Sequence, residues 1–187
     1  MTQPIRTGPF NRFQKIHLQQ AKLIAFAIGA LLLTLFVVLG RLGIRINTTP
    51  SLPVGLYISA SEASQPVEFC PPEPAASMAK QRGYRGEGSC PDGAAPLMKP
   101  VVGRPGDVVE VSHTGLSVNA RRIPNTAPLQ SDTQGRPLKH YPFGRYSVDF
   151  GTIWVASTYN ARSFDSRYFG PISESIVRAH LRPLGTF

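Results

Sequence analysis

The sequence predicts a mostly β domain preceded by one N-terminal transmembrane helix. Three observations carry this. Leu23–Gly40 contains no charge, and its only polar side chain is Thr34. After residue 46, short apolar and β-branched runs alternate with Gly- and Pro-bearing turns, and no stretch keeps a helical period over about twelve residues. The 17 Gly and 18 Pro among 187 residues hold the expected helix content down, while 42% hydrophobic residues exclude low-complexity disorder.

The apolar run is read first. At a helical rise of 1.5 Å its residues span about 27 Å, and Leu42–Ile44 extends this to the hydrocarbon thickness of a bilayer, giving a span over 23–44. A cleaved secretory signal is the competing reading. Its apolar region is shorter and ends in a small-residue cleavage site, whereas here Arg41 and Arg45 occupy that place.

Charge then sets the topology. The net charge of +9 raises nucleic-acid binding as a first thought, but residues 1–46 carry six basic residues and no acidic one. That leaves only +3 for the remainder, which also lacks an aromatic-basic strip, so nucleic acid is not an expected partner. Arg6, Arg12, Lys15 and Lys22 precede the span, and only Arg41 and Arg45 closely follow it. The positive-inside bias puts residues 1–22 in the cytoplasm as a tail and residues 45–187 in a bacterial periplasm, with the span in the inner membrane.

About 140 residues then remain for one domain. Residues 60–96 read as a loop-rich insertion, interrupted by Pro66, Pro71, Pro72, Pro74, Pro91 and Pro96. Cys70 and Cys90 lie in it and make a candidate disulfide in an oxidising compartment, with two free thiols as the alternative. No CxxC or His-x-x-x-His spacing suggests a metal, and no cofactor is expected. Leu97–Val102 is a short apolar run followed by the turn Gly103-Arg104-Pro105-Gly106. Strand-like segments follow at 107–111, 116–118 and 153–156.

Three places can carry chemistry. Ser51 sits between Pro50 and Pro53, five residues after Ile46, where a fixed backbone would hold a hydroxyl in an attack geometry. Most serines in such turns have no further role. Lys99 interrupts an apolar run; as a surface lysine it would snorkel, and as a buried one it would be pushed toward the neutral amine that can act as a base. Asp165 and Arg167, in Ser163-Phe164-Asp165-Ser166-Arg167-Tyr168-Phe169-Gly170, form either a structural ion pair or part of a site.

Together these places resemble the boxes of type I signal peptidases, in the same order: Ser51 with Pro53, then Lys99-Pro100-Val101-Val102-Gly103-Arg104-Pro105-Gly106-Asp107, then Ser163–Gly170. The likeness covers about residues 22–183. Within the family the pattern Ser51-x-Pro53-x-Gly55-x-Tyr57 is most similar to the TraF-type branch of conjugative transfer. Ser157-Thr158-Tyr159-Asn160 stands where leader peptidases carry Gly-Asp-Asn-Arg. The resemblance implies a signal-peptidase-like β domain in which Ser51 is the nucleophile and Lys99 the general base. It implies that Ser163 orients the lysine amine, and that Asp165 and Arg167 support the site, the aspartate also being implicated in activity in this branch. It places the Ser51 N–H and the Thr49 hydroxyl in the oxyanion hole.

The implied partners are the membrane, a conjugative pilin precursor or another preprotein, and other components of a transfer apparatus. The acyl-enzyme could pass to water or to an amine, which would close a pilin into a ring. A general signal peptidase for secreted proteins and a non-catalytic periplasmic component are the alternative functions.

Overall fold

The computed structural model describes residues 10–61 and 65–187, with side chains from His17 onward. Arg6 and the side chains of Arg12 and Lys15, on which the expected topology partly rests, lie outside that set. The chain divides into two compact units, one ending at Gly43 and one comprising Ile44–Phe187.

The first unit is helix α1 (Phe10–Arg41). Its segment His17–Arg41 is long and apolar enough to cross a membrane. The hydroxyl of Thr34 donates to the Ala30 carbonyl at 2.8 Å, so the one polar side chain in the apolar run is satisfied within the helix. The helix stops at Arg41, short of the expected Ile44, because Ile44 starts a strand.

The regular structure of the second unit is mostly strand, joined by long turns and loops. In chain order these are β1 (Ile44–Asn47), β2 (Gly55–Ser59), β3 (Val67–Phe69), β4 (Leu97–Lys99), β5 (Val101–Gly103), β6 (Val108–Ser112), β7 (Gly115–Val118), β8 (Arg121–Arg122), β9 (Gly144–Ser147), β10 (Thr152–Val155), β11 (Ile172–Ser173) and β12 (Val177–Thr186). They form three sheets, of order β1-β2-β12-β3-β4, β11-β10-β5 and β8-β7-β6-β9. Two short helices, α2 (Ala75–Gln81) and α3 (Ser166–Phe169), interrupt the pattern.

The mostly β expectation holds, and the insertion needs correction. Its first part forms β3, a strand of the largest sheet between β12 and β4. Val67, Glu68 and Phe69 are all buried. Glu68 tolerates this because Arg45 Nε reaches its carboxylate at 2.6 Å. Its second part holds α2, whose Ala75, Ala76 and Ala79 are buried, and a disulfide joins Cys70 to Cys90.

Two apolar clusters form much of the core. Val67, Phe69, Val101, Ile153, Val155 and Ile172 pack between the first two sheets, and Val109, Val111, Leu116 and Trp154 pack under the third. Gly103 stands where the layers approach: a Cβ there would lie 2.8 Å from Val109 Cγ2 and 3.2 Å from Trp154 Cβ. The next residues make a type II turn, with Pro105 and then Gly106 at φ +91°, closed by the Asp107 N–H donating to the Arg104 carbonyl at 2.9 Å. This turn sends the chain from β5 into β6 and accounts for the spacing of glycine, proline and aspartate after Lys99.

Candidate active site

β1 ends at Asn47 and β2 begins at Gly55, and the residues between them form the loop carrying Ser51. A proline-bounded loop of this length cannot satisfy its own carbonyls, and the buried Asn47 side chain does it instead. Its Nδ2 donates to the carbonyls of Thr49, Leu52 and Pro53 at 2.9, 3.1 and 3.0 Å. Its Oδ1 accepts from the Thr49 N–H and hydroxyl at 3.2 and 3.0 Å. The Tyr57 hydroxyl adds a bond to the Pro53 carbonyl at 2.8 Å.

Lys99 is the last residue of β4 and pairs with Val67 of β3, so a strand buried on both faces sets its position. The lysine is 4% exposed, and its Nζ donates to Ser51 Oγ at 2.7 Å. Burial lowers its pKa from the ordinary lysine range to about 8; the Asp165 carboxylate opposes the shift, and the Arg167 guanidinium adds to it. Near neutral pH about a tenth of the amine is therefore unprotonated, against well under a thousandth for an ordinary lysine.

Asp165 and Arg167 are fully buried and bonded two-pronged, Nε to Oδ1 at 2.8 Å and Nη2 to Oδ2 at 2.9 Å. The remaining guanidinium donors reach the carbonyls of Asn125, Ala127, Ala161 and Ser163, tying the 125–127 and 161–163 segments together. Asp165 Oδ2 also accepts from the Ser157 N–H at 3.1 Å. The carboxylate thus bonds Arg167 and the main chain rather than Ser51 or Lys99, and it acts on Lys99 through space. Ser163 lines a cavity beside Ser51 and Lys99, but its hydroxyl is buried without a hydrogen-bond partner, so it does not hold the lysine amine in this structure.

Thr49 Oγ1 lies 3.3 Å from Ser51 Oγ. Sequence reasoning missed Asn47 and Ser157; the only signal for Asn47 is a polar residue at the end of a strand before two prolines. It also missed the cavity wall. The cavity beside Ser51 and Lys99 holds about 270 Å³, and Tyr84, Leu97, Leu129, Leu138 and Tyr168 give it an apolar lining. The Tyr84 hydroxyl bonds Asp132 at 2.6 Å, which clips the 129–138 loop onto the insertion. Burial acts to raise the Asp132 carboxyl, but hydrogen bonds from Tyr84, Arg136 and Gln134 outweigh it and hold the pKa below the usual carboxylate range. Among the described residues no group of three or more His, Cys, Asp or Glu is placed to hold a metal ion.

A buried serine hydroxyl paired with a pKa-lowered lysine, in a mostly β domain that follows an apolar helix in the sequence, is an arrangement suited to acyl transfer. The chain belongs to the signal peptidase S26 family, whose family model (Signal peptidase, peptidase S26) matches residues 17–183. Among its relatives are two Escherichia coli proteins named plasmid transfer protein TraF. One is 41% identical over 149 residues, covering 78% of this chain and 84% of the relative; the other is 36% identical over 181 residues, covering 95% and 99%. Among solved structures, a signal peptidase I from Enterococcus faecalis V583 aligns with a TM-score of 0.33 and 19% identity, over 62% of this chain and 92% of the other.

Proposed function

We propose that the protein is a membrane-anchored serine endopeptidase that uses a Ser51–Lys99 dyad to process a conjugative pilin precursor. The observation that carries this reading is the 2.7 Å bond between Lys99 Nζ and Ser51 Oγ in a setting that favours the neutral amine. The relatives are named plasmid and conjugal transfer proteins, which supports a role in conjugation; the pilin precursor as substrate follows from the resemblance to the TraF-type branch.

In this scheme the neutral Lys99 amine takes the Ser51 hydroxyl proton as Oγ attacks the scissile carbonyl carbon. The carbonyl oxygen becomes an oxyanion, held by the Ser51 N–H and by the Thr49 hydroxyl once its one proton turns from Asn47 Oδ1. The C–N bond then breaks, the Lys99 ammonium gives its proton to the leaving amine, and an ester on Ser51 remains. Water next attacks the ester while Lys99 takes its proton; Ser51 leaves as the alcohol, protonated by Lys99. An amine of the substrate in place of water would form a new amide and close a ring.

The apolar helix anchors the chain, with the N-terminus cytoplasmic and residues 45–187 in the periplasm. Mass spectrometry of the pilin from cells carrying the wild type or Ser51→Ala tests the reading. The wild type should yield a shortened pilin, and the variant the full precursor. A product lighter by one water than the linear form marks a ring. Rescue of a strain depleted of its leader peptidase would instead indicate general secretory cleavage.

A further inference from the structure

Ser157 lies outside the dyad and outside the Asp165–Arg167 pair, yet it touches both neighbourhoods. The residue is completely buried. Its hydroxyl donates to the Ser51 carbonyl at 2.7 Å, across 106 residues of sequence. The same oxygen accepts from the N–H groups of Tyr159 and Asn160, each at 3.1 Å. One proton and two lone pairs are all a hydroxyl has, so its bonding capacity is fully used. The Ser157 N–H in turn donates to Asp165 Oδ2 at 3.1 Å, and Arg167 grips that carboxylate from the other side.

These bonds make an unbroken path from the buried ion pair to the peptide group of the nucleophile. Asn47 holds the carbonyls on either side of Ser51, those of Thr49, Leu52 and Pro53, but not that of Ser51 itself. Without the Ser157 hydroxyl the Ser51 peptide would be free to rotate, and the Cα–Cβ bond that aims Oγ would rotate with it. We propose that Ser157 is a positioning residue that transmits the Asp165–Arg167 anchor to the main chain of Ser51 and so fixes the attack direction of its hydroxyl. The inference rests on the serine-lysine reading and explains how Asp165 acts on a nucleophile it does not touch.

A positioning role predicts a loss in kcat with KM unchanged, because attack geometry matters to the reacting state more than to binding. A merely structural role predicts a lower melting temperature and an unchanged kcat for the folded protein. The test uses the full chain in detergent micelles with purified pilin precursor, at about pH 9.5, where an amine titrating near 8 is mostly neutral. Ser157→Ala should lower kcat about tenfold or more, with KM within about twofold of wild type. Asp165→Asn should lower kcat as well. Because both variants break one path, the double variant should fall no further than the worse single, within about threefold. Val111→Ala, in the apolar cluster under the third sheet, should lower the melting temperature and leave kcat intact. Where Ser157→Ala does not accumulate as folded protein, Ser157→Cys gives the same comparison, since a thiol is a weak donor of similar size.

Ser157→Ala with kcat within about twofold of wild type overturns the proposal, as does a double variant in which the two losses multiply. Ser51→Ala, run alongside, separates the two layers. If Ser51→Ala still cleaves, the dyad reading has failed; if it is inactive while Ser157→Ala is fully active, only the positioning role has failed.

Discussion

Lys99 donates to Ser51 Oγ at 2.7 Å although the residues stand 48 apart in sequence, one at the end of β4 and the other in the β1–β2 loop. Two neighbouring features meet there. The buried β3 fixes the lysine from one side, and the Asn47 amide fixes the serine loop from the other.

The pH dependence follows from the lysine. A base must be unprotonated, so kcat/KM should rise with pH and level off above a midpoint near 8, the value to which burial lowers Lys99. The Asp165 charge raises that value, so Asp165→Asn should move the midpoint to lower pH. A pH-rate series for both proteins checks this; a midpoint unmoved by Asp165→Asn would contradict it.

For folding, the sign of the lysine effect is the reverse of a stabilising shift. The unfolded chain has the higher lysine pKa, so it binds the proton more readily than the folded one. The stability penalty from Lys99 is fully present below about pH 8 and fades as pH rises through the ordinary lysine value of about 10.4. Lys99→Met, an uncharged side chain of similar length, should therefore melt higher than wild type at neutral pH, with the difference narrowing toward high pH. Melting curves across that range measure it.

Thr49 separates two roles of one hydroxyl. Its oxygen is 3.0 Å from Asn47 Oδ1 and 3.3 Å from Ser51 Oγ. Thr49→Val removes the hydroxyl and should cost about 2.7–4 kcal/mol of transition-state stabilisation, a loss in kcat of about 10² or more, as for a deleted oxyanion donor. Thr49→Ser should retain most activity. Steady-state kinetics on both decide it, and full activity in Thr49→Val would remove Thr49 from the oxyanion hole.

Asn47 is predicted to matter for its donors rather than its size. Asn47→Asp keeps the shape but places oxygen against the carbonyls of Thr49, Leu52 and Pro53. Leaving these groups unpaired should cost about 2–4 kcal/mol and disorder the Ser51 loop. Chemical denaturation measures the first effect and precursor cleavage the second; an Asn47→Asp protein equal to wild type in both would contradict the role.

The disulfide is predicted to act on stability alone. It closes a segment of 20 residues, worth about 3 kcal/mol in the chain-entropy picture. Replacing Cys70 and Cys90 together with serine should lower the melting temperature of the β domain by about 6–12 °C. Thermal melts with and without the bridge read this directly.

The legible and the hidden parts of the site differ for a physical reason. Ser51, Lys99, Asp165 and Arg167 stand in short local patterns, and the turn chemistry of Pro105-Gly106 is written in adjacent residues. Asn47 and Ser157 are ordinary polar residues until folding brings distant carbonyls to them. The loop reading of 60–96 failed at β3 because three residues are too few to show a period, and because Glu68 looks like a surface residue until Arg45 is beside it. The helix end was overextended since Leu42–Ile44 is as apolar as the span before it, and only pairing with β2 makes Ile44 a strand residue.

The central claim, a serine nucleophile served by a lysine base, is tested most directly by incubating the purified full-length protein with pilin precursor and following the product by mass. Wild type should shorten the precursor, while Ser51→Ala and Lys99→Ala, each folded by its melting curve, should both leave it intact. Shortening that persists in either folded variant would contradict the dyad.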